Sequence, residues 1–296
     1  MEALIERFVR WAETQVDMRA ATIVGSRART DRPADAWSDL DLVIIVRDPS
    51  RYLTTTDWTG QIGVPLLTFL EPTAVGDLTE RRVLFEGACD VDFSFVPVSI
   101  VQEWGQHGMP DAVAHVAQRG ARLLFDKDGA FAELLAGLPP RPRRIAPPSA
   151  AVFTEAVHDF LYHVIWCAKK LRRGELWLAK QSCDGYLKRQ LLRMIEWDAQ
   201  ARRQWQLDTW HEGRFLEHWA APAVLTRLPA TFAVYTSQDI ERALHATLRL
   251  YHELAVAVAA ALNYAYPDAA HTYVMTWLQQ HNVTGDTNAA PGRTPR

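Results

Sequence analysis

Near the start of this 296-residue chain, Gly25-Ser26 and a polar stretch are followed by Asp39-Leu40-Asp41, which runs into Val43-Ile44-Ile45-Val46. The β-branched run predicts a strand, and the i, i+2 spacing puts both carboxylates on one face, roughly 7 Å apart. Carboxylates that close repel one another, so the arrangement is costly unless a cation sits between them. Mg2+ prefers carboxylate oxygens together with substrate phosphates. The glycine and serine upstream suit a turn that brings backbone N–H groups and a hydroxyl to those phosphates. The pattern therefore predicts a metal-dependent nucleotide site. A lone Ser-Asp-x-Asp would suit a turn or a solvated edge equally well. The strand before Gly25 and the later apolar strand with an internal Asp favour the site.

In-line nucleotidyl transfer on two Mg2+ ions needs a third carboxylate from a neighbouring strand. Asp92, polar within Val91-Asp92-Phe93, is the best candidate. Asp90 lies two residues earlier on the same face and replaces it if the register slips. Glu86 reads as a turn residue.

Periodicity divides the chain in two. Residues 2–17 predict a helix; Ala21–Val24, residues 40–46, 66–70, 83–85 and 91–96 predict strands, with 86–88 as a hairpin turn. Residues 137–149 contain five prolines with basic residues between them, which blocks regular structure. Beyond them, 153–173, 176–197, 240–263 and 269–281 carry helical spacing. The expected class is α+β: a mixed sheet with flanking helices at 1–138, a linker at 139–149, a helical bundle at 150–285 and a disordered tail at 286–296.

Composition narrows the function classes. The net charge of −3 argues against a nucleic-acid groove. Residues 1–150 hold 21 acidic and 16 basic side chains, which suits a metal site. Three widely spaced cysteines without CxxC, and ten histidines without HxH or HxxxH, point away from zinc and toward a reducing, cytoplasmic setting. Neither a signal peptide nor a membrane span is expected.

These residues resemble the nucleotidyltransferase superfamily that shares the DNA polymerase β palm. Gly25-Ser26-Arg27-Ala28, Trp37-Ser38-Asp39-Leu40-Asp41 and Asp90-Val91-Asp92-Phe93 look most like the aminoglycoside 6-adenylyltransferases (streptomycin adenylyltransferases). In the helical half, Ala168 to Glu175 with Ala179-Lys180, and Leu192 to Trp197, resemble that family's AKxLxRxE…AK and LxxMLEW segments. His211-Glu212-Gly213-Arg214 departs from a Gly-Lys segment. The resemblance covers about residues 1–285. It implies that Gly25 and Ser26 hold the ATP triphosphate and that Asp39 and Asp41 bind Mg2+. Asp92 would bind metal or act as base toward the antibiotic hydroxyl. An O-adenylylated antibiotic and pyrophosphate would result. Arg27 would reach a phosphate or cap its loop.

Helical spacing from Phe153 puts Glu155, Asp159, Tyr162, Trp166 and Lys169 on one face. Two carboxylates beside two aromatics suit a polycationic acceptor through charge pairing and cation–π contact. Asp159 is preferred because it also matches an acidic family position. Core packing of Tyr162 and Trp166, and solvation of Glu155, are the alternatives. Lys169 suits ATP phosphates as a point charge or belongs to a solvated basic face. The expected partners are the small-molecule substrates ATP and a cationic aminoglycoside, without nucleic acid or membrane, and the protein itself is expected to be a monomer or weak dimer. Another acceptor (a different antibiotic, a protein or a small metabolite) and a non-catalytic nucleotide sensor remain as alternative functions.

Overall fold

A computed structural model describes residues 1–29, 31–140, 144–209 and 211–281. The chain divides into two compact units, Met1–Arg141 and Pro142–Arg296. The division falls within the proline-rich segment, whose described residues 139–140 and 144–149 form neither helix nor strand. The predicted tail lies outside the described residues.

In the first unit, α1 (Glu2–Thr14) leads to β1 (Met18–Val24), β2 (Leu40–Val46), α2 (Ser50–Thr54), β3 (Pro65–Pro72), β4 (Thr79–Phe85) and β5 (Cys89–Pro97). Then come α3 (Val98–His107), α4 (Asp111–Arg119), β6 (Arg122–Asp126) and α5 (Ala130–Ala136). The six strands form one sheet in the order β3-β4-β5-β2-β1-β6. Only β2 and β5 run parallel; the other neighbours are antiparallel. Strand alternation explains the layers. Leu40, Leu42, Ile44 and Val46 of β2, with Val91, Phe93 and Phe95 of β5, pack under α1 through Leu4, Ile5, Phe8 and Ala12. Aromatic stacking fixes this layer: Trp11 on Trp58 at 5.4 Å, and Tyr52 on Phe95 at 4.9 Å. Opposite, Ile45 and Val96 pack with Val101 of α3 and Phe131 of α5. The acidic residues head this second face.

The second unit comprises α6 (Ala150–Arg172), α7 (Leu176–Gln181), a π-turn at Ser182–Tyr186, α8 (Leu187–Arg202), α9 (Leu216–Trp219), α10 (Pro222–Arg227), α11 (Ser237–Leu262) and α12 (Asp268–Gln280). Its core centres on Phe160 of α6, stacked on Tyr251 of α11 at 3.6 Å. Ser149 and Thr236 cap α6 and α11 by accepting the N–H groups of Val152 and Asp239. The helix predicted over 176–197 is interrupted by the π-turn, which period counting does not detect. No helix among the described residues is long and apolar enough to cross a membrane. Cys89, Cys167 and Cys183 are free.

Candidate active site

The strand register assembles the acidic cluster. Asp41 of β2 stands opposite Asp92 of β5 in the parallel pair, and Arg82 of β4 stands opposite Asp92 on the other side. Asp39 precedes β2 by one residue. Ligand oxygens of Asp39, Asp41 and Asp92 all lie within 4.8 Å of one another. Three carboxylates at this separation form a donor set for a hard divalent cation. Asp92 is 6% exposed. Burial first, then the charges of Asp41, Glu80 and Asp39, push its pKa up to about 7, although Arg82 opposes them.

Gly25 and Ser26 follow β1 in a single 3-10 turn. Gly25 has φ +68°, and a Cβ there would stand 2.1 Å from Asp41 Oδ2. Glycine thus serves both the left-handed backbone and the close approach to the carboxylate. Ser26 Oγ is buried and has no hydrogen-bond partner among the described residues. A buried hydroxyl without a partner is costly, and a phosphate oxygen from ligand would satisfy it. The residues present therefore fit both a divalent metal and a nucleotide phosphate. Arg27 donates from Nε to the Asp39 carbonyl at 2.8 Å and from Nη2 to the Ser38 carbonyl at 2.6 Å. Of the two roles read for it, capping the loop is the one these bonds perform.

Of the candidate third acids, Asp92 joins the cluster. Asp90 is exposed, and Glu86 sits exposed in the 86–88 turn. Sequence reasoning missed Arg82, Glu80 and Ser94. Arg82 Nη2 lies 2.9 Å from Asp92 Oδ2, and its Nε bonds Glu71 and lies 3.4 Å from Glu80 Oε1. Ser94 Oγ donates to Glu80 Oε2 at 2.9 Å. The signal was available: a turn at 86–88 pairs Phe85 with Cys89, which carries Arg82 opposite Asp92.

In the second unit, α6 is one continuous helix, so Glu155, Asp159, Tyr162, Trp166 and Lys169 follow one another along it at helical spacing. Glu155 and Tyr162 are exposed, while Asp159 and Trp166 are half-buried. Asp159 accepts from Tyr186 at 2.9 Å and Gln190 at 2.6 Å, and His163 Nδ1 lies 2.8 Å away. The π-turn that ends at Tyr186 is adjacent to this network. Lys170 lies over the Trp166 ring at 5.1 Å, and Lys169 over Trp277 at 6.0 Å.

A sequence model of the family described as streptomycin adenylyltransferase matches residues 1–281. The chain is similar to an aminoglycoside 6-adenylyltransferase of Campylobacter jejuni, 22% identical over 290 residues that cover 94% of this chain and 96% of that protein. It is similar to another of the same name from Bacillus subtilis (strain 168), 22% identical over 273 residues that cover 90% and 93%. A crystal structure of an aminoglycoside 6-adenyltransferase from Bacillus subtilis aligns with a TM-score of 0.45 at 18% identity, covering 95% of this chain and 96% of that one.

Proposed function

The chain belongs to the streptomycin adenylyltransferase family, and from that premise we propose that it transfers AMP from ATP to a hydroxyl of an aminoglycoside, releasing pyrophosphate and conferring resistance. The acceptor proposed first is streptomycin, at its 6-position. The observation that carries this reading is the cluster of Asp39, Asp41 and Asp92 beside the Gly25-Ser26 turn.

Two Mg2+ ions held by the three carboxylates would neutralise phosphate charge and lower the pKa of the acceptor hydroxyl. The remaining roles belong to the protein. Ser26 would donate its otherwise unpaired hydroxyl to a phosphate oxygen, and Gly25 keeps the approach to Asp41 open. Arg27 fixes the carbonyls of Ser38 and Asp39, and so the entry into β2, at the point where Asp39 must aim its carboxylate. Asp92 stands where a buried carboxyl with a pKa of about 7 can take a proton near neutrality. Metal ligation would lower that pKa and favour a ligand role for it instead. Lys169 is proposed as a phosphate contact. Glu155, Asp159, Tyr162 and Trp166 are proposed to meet the cationic acceptor. The hydrogen bonds that already orient Asp159 favour it as a fixed carboxylate over the solvated Glu155.

The test is pyrophosphate release from ATP and Mg2+ across a panel of aminoglycosides, with product mass read for an added AMP. Streptomycin should support release, and Asp39→Asn, Asp41→Asn and Asp92→Asn should each abolish it in folded protein. Release with other aminoglycosides but not streptomycin would reject the 6-adenylyl assignment. No release with any aminoglycoside would reject the acceptor class.

A further inference from the structure

We propose that Arg82 is a positioning residue for the carboxylate cluster: its guanidinium, tethered by Glu71 and Glu80, holds Asp92 in place as the third ligand of the metal site. The proposal rests on the functional reading above.

The geometry is specific to this sheet. Phe69, Arg82, Asp92 and Asp41 form one transverse row across β3, β4, β5 and β2. Glu71, Glu80 and Ser94 form the next row. Each lies two residues along its strand from Phe69, Arg82 or Asp92, so the two rows share a face. Asp92 therefore has like charge on one side, from Asp41, and opposite charge on the other. The contact from Arg82 reaches Oδ2 at 2.9 Å, within the range of a charge-assisted hydrogen bond. It opposes the repulsion that would turn the Asp92 carboxylate away from Asp39 and Asp41.

Arg82 is itself held. Glu71 and Glu80 both face Nε, and Ser94 donates to Glu80. A bare surface ion pair would have no such second tier. A planar fork held through both Nε and Nη2 has a fixed orientation, which a lysine ammonium does not. Groups that orient metal ligands commonly matter 10- to 100-fold for metal affinity or activity.

The experiment is a titration of the full chain with Mn2+, read by the EPR signal of the free ion, alongside kinetics with ATP and streptomycin. Arg82→Met should weaken Mn2+ binding about 10-fold and lower kcat by roughly 10- to 100-fold, with the KM for ATP changed less than about threefold. Arg82→Lys should fall between the two, because it restores charge without the fork. If Arg82 acted only as a nearby positive charge, Arg82→Met would bind Mn2+ more tightly and Arg82→Lys would match the wild type. That outcome overturns the proposal, as does unchanged affinity. A raised KM for ATP with unchanged kcat would reassign Arg82 to phosphate binding and also overturn it. Should Arg82→Met fail to fold, a Glu71→Gln/Glu80→Gln double variant frees the guanidinium without removing it. It should weaken Mn2+ binding in the same direction, and unchanged affinity would overturn the proposal. If the wild type forms no AMP product, the functional reading fails, while the Mn2+ titration still decides the role of Arg82.

Discussion

Replacing Gly25 with alanine imposes two costs that a second glycine allows to be separated. The first is conformational. At φ +68° a residue with a Cβ pays about 1 kcal/mol relative to glycine. The second is steric. The new Cβ would stand 2.1 Å from Asp41 Oδ2 and 3.0 Å from its carboxyl carbon. Relief requires the carboxylate to move by roughly 1 Å. Misplacement of that size in a reacting constellation costs on the order of 10²-fold, or about 2.7 kcal/mol of barrier. Gly129 is the control: its φ is +75° and nothing lies within 4 Å of its Cβ position. Gly129→Ala should therefore show the conformational cost alone. The expected result is a loss of about 1 kcal/mol in urea denaturation for both variants. A drop of about 100-fold in kcat/KM, with weakened Mn2+ binding, should appear in Gly25→Ala only. If the two variants keep kcat/KM within about threefold of each other, the close approach of Gly25 to Asp41 does not govern the site.

Three further outcomes follow from other contacts. Glu196 is held up to about 7 by burial, against the opposing charge of Arg193. Its ordinary value is 4.5, so its stabilising contribution is complete below pH 4.5 and lost as pH rises through 7. Glu196→Gln should therefore gain about 1–2 kcal/mol on the wild type between pH 5 and pH 8 in denaturant melts; a gap that stays level with pH would contradict this. Thr236→Ala removes the cap of the 26-residue α11 and should lower the stability of the helical unit by about 1 kcal/mol, whereas Thr236→Ser should restore it. Arg27→Met loses two bonds to backbone carbonyls and should reduce both stability, by about 1–3 kcal/mol, and activity. A single ammonium in Arg27→Lys should recover little of either, and full recovery would show that charge alone matters there.

Much of the first unit was legible because strand periodicity and site chemistry coincide. The strand predicted after Asp39-Leu40-Asp41 matches β2 at both ends, and the turn at 86–88 matches the hairpin between β4 and β5. Asp92 could be picked out because a charged residue inside an apolar strand needs a reason. Arg82 escaped notice because nothing about Arg81-Arg82 is unusual until the hairpin register is drawn. Their opposite fates show this. Arg81 turns inward to the carbonyls of Tyr52 and Leu53, while Arg82 turns to the acids. Strand β6 and helices α3 to α5 were not foreseen, since Leu123-Leu124-Phe125 is a short apolar run bounded by charges. In the helical unit the long helices were readable from spacing. The π-turn was not, because it shifts the hydrophobic stripe by only a fraction of a turn.

The single parallel pairing, of β2 with β5, has a consequence for how damage to this protein would present itself. Asp41 and Asp92 face each other only while Leu42 is level with Phe93 and Ile44 with Phe95. Those two phenylalanines are clamped from the far side by Phe8, Tyr52 and Trp58. A slip of one residue would send every carboxylate of β5 through to the aromatic side. The aromatic layer is thus the ruler against which the acids are measured out. Lesions in it, remote from any substrate, should be read in an assay as lost metal affinity before they are read as unfolding.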